Sequence, residues 1–176
     1  MRSFLVLVLV GGIVCSFHGV LSGELSGFGT LFSISENRPG DSVRALKLFI
    51  GPLGVLKGIQ VKLEDGWSSK YGVPGGKAQT ITLYDGEGIT RLSGQGGLCV
   101  RSVVLETSTG RVLKYGTPTG SNFDDSPPYE GMELSGIEGL YGALCIKQLQ
   151  GKWSYSTEIF ATTEIPATAE QAEVTP

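Results

Sequence analysis

The heptapeptide "KYGVPGG" occupies residues 70–76, and "KYGTPTG" occupies residues 114–120, so Tyr71 and Tyr115 stand 44 positions apart. The same shift carries the echo further. Ile59 falls on Val103, Val61 on Leu105, Gly66 on Gly110, Pro74 on Pro118 and Gly76 on Gly120. Each copy reads as a strand, a turn at the first glycine, a returning strand through Lys-Tyr-Gly, and a loop carrying proline and glycine. A second echo, "LSG", recurs at residues 25–27, 92–94 and 134–136, and a third joins "VRALKL" from Val43 to "VRSVVL" from Val100. Repeats of this period signal one supersecondary unit of about four strands used more than once.

Short β-type runs fill the space around these echoes. They are clearest in "SVRALKLFIG" (42–51), "GIQVKLEDG" (58–66), "AQTITLYDG" (78–86), "CVRSVVLETSTG" (99–110) and "GMELSG" (131–136). Ile59, Val61 and Leu63 alternate with Gln60, Lys62 and Glu64, the period of a half-buried strand. A weaker third copy, "ALCIKQLQGKWS" (143–154), predicts strand, glycine turn, strand. No window carries a helical stripe, so the predicted class is all-β. A four-stranded sheet leaves its apolar face wet unless it meets another. Three such sheets closing on a common axis make a β-prism of three Greek-key sheets with pseudo-threefold symmetry. A propeller needs at least about four blades, more than this length supplies.

The ends read differently from the middle. "MRSFLVLVLVGGIVCSFHGVLSG" has one charge at Arg2, an apolar run and small residues, which predicts a secretory signal over residues 1–22, cleaved after Ser16 or Ser22. The folded domain is expected over 23–153. The Thr-, Ala-, Glu- and Pro-rich segment 154–176 is expected to be a disordered tail. The protein is therefore expected to be secreted, extracellular or within a secretory granule, with no transmembrane segment.

Composition excludes more chemistry than any motif supplies. The chain of 176 residues has a formal net charge of −3. Cations are scattered along it, which argues against nucleic acid or anionic lipid as a partner. The single histidine, His18, and one of three cysteines, Cys15, fall in or beside the signal. Histidine catalysis and His/Cys zinc sites lose their ligands. No enzyme activity, cofactor or metal is expected. "FDDSPPYE" (123–130) lacks the ligand spacing of a calcium loop and predicts a solvated turn. "GQGG" is followed by no helix and is no phosphate loop. Trp67 and Trp153 are expected to pack. Cys99 and Cys145 are an even pair for an oxidising compartment. Aligning Gly97-Leu98 with Gly139-Leu140, however, sets the cysteines four strand positions apart, about 13 Å, beyond disulfide reach unless the sheets are offset, which favours two buried thiols and leaves the bridge as the alternative.

The blocks "LSGFG", "DGWSSKYGVPGG", "SGQGGLCVRSVVLETSTGRVLKYGTPTGSNF" and "LSGIEGLYGALCIKQL", in this order, resemble jacalin-type lectin domains, particularly the animal secretory zymogen-granule branch. The resemblance implies a β-prism and a metal-independent carbohydrate site at one end. That site would be formed by Gly27, Phe28 and Gly29, by Gly96 and Gly97 at mid-sequence, and by the late loop Gly139, Leu140, Tyr141, Gly142 and Ala143. Glycines admit close backbone approach, and each backbone N–H can donate to a hydroxyl. Partners would be glycans or glycoproteins, with a homo-oligomer left open. The departure is Ala143, where the family's GxxxD pattern has an aspartate. A hydrogen bond to a charged group is worth about 1.5–3 kcal/mol, so its loss implies altered specificity, avidity-dependent binding, or a vestigial site in a protein with protein-binding or structural duties.

Overall fold

The computed structural model describes Leu25, residues 27–35 and residues 42–155. The expected signal segment and the tail beyond residue 155 lie outside the described residues. Among the described residues twelve strands follow one another as β1 (Thr30–Ser35), β2 (Ala45–Ile50), β3 (Leu56–Leu63), β4 (Gly66–Trp67), β5 (Tyr71–Gly72), β6 (Lys77–Thr82), β7 (Ile89–Gly96), β8 (Val100–Thr107), β9 (Val112–Gly116), β10 (Ser121–Asp125), β11 (Met132–Tyr141) and β12 (Ile146–Tyr155). They form three antiparallel sheets, ordered β1-β11-β12, β4-β3-β2-β6 with β5 also on β3, and β10-β7-β8-β9. No described helix is long and apolar enough to cross a membrane.

Each sheet is built on a long hairpin: β2–β3, β7–β8 and β11–β12. In two of them the opening heptapeptide does one job. Tyr71 pairs with Ile59 and Gly72 with Gly58, while Tyr115 pairs with Val103 and Gly116 with Ser102. The 44-residue shift is thus preserved pair by pair. After the glycine the chain leaves the β3 or β8 edge, crosses the end of the hairpin through the proline loop, and starts β6 or β10 on the far edge. The echo is the Greek-key crossover. Gly72 and Gly116 have φ of 117° and 79°, a region open to glycine alone at little cost.

The alternating residues of the central hairpins face one interior. Leu46, Leu48, Ile59, Val61, Leu92, Leu105, Leu134, Ile137 and Ile146 are all at most 1% exposed. One cluster joins members from all three sheets. Burying each such side chain contributes about 1.5–3 kcal/mol, which is the energetic reason for closing three sheets rather than leaving each wet.

Three expectations need correction. The strand–glycine–strand reading of residues 143–154 fails: β12 is one ten-residue strand. Gly151 sits inside it opposite Ile137, where a Cβ would press on Leu134 and the Trp153 ring. Glycine here makes room rather than a turn. The strand also runs two residues past the expected domain boundary, to Tyr155.

The third correction concerns the cysteines, which form a disulfide with Cα atoms 5.7 Å apart. The alignment that separated them was out of register. Gly94 and Gly139 are the equivalent strand glycines, for a Cβ on either would lie 2.8 Å from a phenylalanine ring of the edge strand, Phe123 or Phe32. The hairpin turns then correspond, the third one residue longer, with Gly97 N–H donating to Cys99 O at 3.0 Å and Gly142 N–H to Cys145 O at 2.9 Å. "GGLCV" (96–100) matches "GALCI" (142–146), and both cysteines end their turns.

The opposite end of the prism carries a buried ion pair. Glu87 is 2% exposed and accepts hydrogen bonds from Arg111 Nε at 2.7 Å, Thr109 Oγ1 and the Tyr84 N–H at 2.9 Å. The Arg111 guanidinium, helped by these donors, outweighs desolvation and holds the carboxyl far below its ordinary 4.5. The ionised form is therefore favoured by folding. Its contribution is complete above about pH 4.5 and is lost as pH falls toward the depressed folded value. The thermal midpoint should fall below pH 4.5, and Glu87→Gln should be less stable at neutral pH with a flatter acid dependence. An equally steep acid limb in the variant would assign it to other groups.

Candidate functional site

Three hairpin turns and the entry to β1 meet at the end of the prism bridged by the disulfide. Thr30 pairs with Tyr141, which sets Gly27, Phe28 and Gly29 beside the β11–β12 turn. Gly29 lies so close to that strand that a Cβ would come within 2.6 Å of Tyr141 O. Cys99–Cys145 then ties the β7–β8 turn, with Gly96 and Gly97, to the β11–β12 turn. The expected loops are neighbours in space.

Not every expected residue faces outward. Gly139, Leu140 and Tyr141 belong to β11 rather than to a loop. Leu140 is 2% exposed. Tyr141 packs against Phe32 at 6.1 Å, and Phe32 in turn stacks on Tyr71 at 5.3 Å. Tyr141 is thus engaged with Phe32 within its own sheet, behind the contact that Phe32 makes with the next sheet. The turn proper begins at Gly142, and Ala143 is exposed within it. Counted from Gly142, the fifth position is Ile146, which is buried. In neither register does the turn carry a carboxylate. Glu138, the nearest acid in sequence, lies mid-strand opposite Ser33 and Gln150 and pairs with Lys152 at 3.7 Å. Gly97 and Gly142 use their N–H groups to close their own turns.

A residue the sequence reading passed over stands in this place. Lys147, on β12, donates from Nζ to Phe28 O at 2.7 Å. It bridges the first glycine loop to the third hairpin. Its position one residue past "GALCI" is legible once the hairpin turns are correctly aligned.

Lys147 also lines a groove of about 920 Å³ between β10 and β12, together with Gly96, Gly97, Ser121, Asn122 and Gln148. Of the expected site residues, Gly96 and Gly97 line this groove and the others do not. Asn122 accepts from Gln95 Nε2 at 2.9 Å. Deeper in, Asp125 accepts from Gly151 N–H at 2.5 Å and from Trp153 Nε1 at 3.2 Å; burial nonetheless raises its carboxyl above the ordinary value. Asp124 is bound by Arg91, whose hydrogen bonds lower its carboxyl. "FDDSPPYE" is thus no solvated turn at its start, since Phe123, Asp124 and Asp125 are β10 residues. The groove offers amides, hydroxyls and an ammonium at its mouth, a donor-rich surface of the sort that hydroxylated ligands need.

The family profile of the Jacalin-like lectin domain matches residues 14–150. This chain belongs to the jacalin-like lectin domain family. It is 31% identical over 148 residues to the prostatic spermine-binding protein of Rattus norvegicus, covering 84% of this chain and 51% of that one, about half its length. It is also 31% identical to zymogen granule membrane protein 16 of Homo sapiens, over 70% of this chain and 74% of that one. Among solved structures, a prostate-specific WGA16 glycoprotein lectin aligns with a TM-score of 0.70 and 33% identity, covering 74% of this chain and 94% of that one. Calystegia sepium agglutinin aligns at 0.63 with 16% identity, over 76% and 93%, a likeness of fold. The jacalin-like lectin fold supports carbohydrate binding, and the family's lectins are non-catalytic.

Proposed function

We propose that this jacalin-like chain is a secreted, non-catalytic lectin that takes glycans, without a metal, at the hairpin end, in the mouth of the groove between β10 and β12. The observation that carries the reading is that Lys147, which lines the groove with Gly97, also binds the carbonyl of Phe28 in the first glycine loop. Relatives named for prostate and zymogen granule agree with a secretory route.

Lys147 stands where a sugar-accepting carboxylate is missing, so the site should prefer sugars bearing carboxylate or sulfate over neutral ones. On a glycan array, Lys147→Ala should weaken acidic-glycan binding about tenfold or more, while Ala143→Asp should shift the preference toward neutral hexoses. The absence of a carboxylate favours a second reading, a vestigial site in a protein-binding or structural prism. Binding by Ala143→Asp together with none by the unaltered protein would establish that reading and end the first. A polyamine ligand, as the rat relative's name has it, would need unengaged carboxylates. Those of the groove, Asp124 and Asp125, are held by Arg91, Gly151 and Trp153.

A further inference from the structure

The three hairpin turns share a pattern: "GPLGV" (51–55), "GGLCV" (96–100) and "GALCI" (142–146). The central leucine of each projects into solvent. Leu53 is 80% exposed, Leu98 89% and Leu144 72%, and Phe28 beside them is 94% exposed. Leu53 holds a positive φ of 62°, an unfavourable backbone for a branched side chain. It is kept there by Arg101 Nη2, which donates to its carbonyl at 2.5 Å. Gly54 beside it packs on Thr117 of the β9–β10 crossover. The fold exposes an apolar side chain on three pseudo-equivalent tips, at Leu53 against the backbone's own preference, and a cluster of exposed large apolar groups marks an interaction surface.

Charge points to the partner. The stretches that make up this end (residues 27–31, 49–58, 70–79, 94–103, 114–123 and 139–148) hold six lysines and arginines and no aspartate or glutamate. The chain's acidic net charge therefore resides elsewhere. Scattered along the sequence, these cations gave no footprint; the fold gathers them around the leucines. Apolar tips ringed by cations suit an anionic bilayer, where side chains enter between headgroups and the cations meet lipid phosphates and carboxylates. Separate protruding tips would demand three matched pockets of a protein partner, whereas a bilayer adapts to each.

We propose that the hairpin end docks on anionic phospholipid membranes through Leu53, Leu98 and Leu144. The docking is independent of the glycan reading, and sugar-free vesicles test it. The purified protein should sediment with phosphatidylcholine vesicles containing phosphatidylserine, much less with phosphatidylcholine alone, and less as salt rises. Leu53→Asn, Leu98→Ser and Leu144→Ser should each weaken binding about tenfold without lowering the thermal midpoint. Leu98→Trp should add an emission component, absent from the unaltered protein, that shifts to the blue on anionic vesicles. Failure to sediment, equal sedimentation of the triple variant, or an unshifted emission would overturn the proposal. So would a self-association abolished by the triple variant without any vesicle binding, which would make the leucines a contact between copies.

Discussion

Serine at Cys99 or Cys145 should lower the stability of the prism by about 4 kcal/mol, the loop-closure value for a bridge of this span. The bridge closes a loop with a sequence separation of 46, so its loss returns a large set of conformations to the unfolded chain. Urea titration of oxidised and reduced protein checks this directly. The midpoint should fall by about 2 M for a domain of this size, and reduction should have no further effect on either serine variant. The loss should extend to the site. Freed from the bridge, the turns bearing Leu98 and Leu144 lose their fixed spacing, and vesicle binding should weaken in parallel. A reduced protein with unchanged midpoint would mean that the sheets hold those turns unaided.

Alanine at Gly116 should cost about 3 kcal/mol. Two terms add. The backbone there has φ of 79°, and a Cβ would lie 2.1 Å from Arg101 O, a carbonyl that cannot step aside without opening β8. Gly72 is its equivalent, with φ of 117° and a Cβ 2.3 Å from Lys57 O. Gly110 supplies the control, since φ is 83° there but a Cβ meets nothing within 4 Å. Gly110→Ala should cost only the dihedral share, about 1 kcal/mol. Chemical denaturation of the three variants separates the terms. Equal costs at Gly110 and Gly116 would show that the crossover contacts are looser than described.

Much of the architecture was readable in the chain because β-structure writes itself locally. Alternation in residues 59–64 marked β3. The Lys-Tyr-Gly echo marked the crossover, because only glycine fits the conformation and the close approach required at Gly72 and Gly116. The misreadings also have physical causes. Gly139 and Gly151 were read as loop and turn residues. They are strand glycines making room for Phe32 and Trp153, and a glycine that spares a ring looks in sequence like one that bends a chain. That ambiguity moved the third hairpin out of register, and with it the cysteines and Lys147.

By itself, then, the chain determined the strands, their repetition, the need for three sheets to share a core, and the lack of a carboxylate at Ala143. These depend on periods and residue types fixed by neighbours in sequence. Only the tertiary structure decided the pairing of Cys99 with Cys145, the meeting of Lys147 with Phe28, and the gathering of three leucines and scattered cations at one end. Hairpin register sets such meetings, and a shift of one residue turns a strand's side chains to the other face.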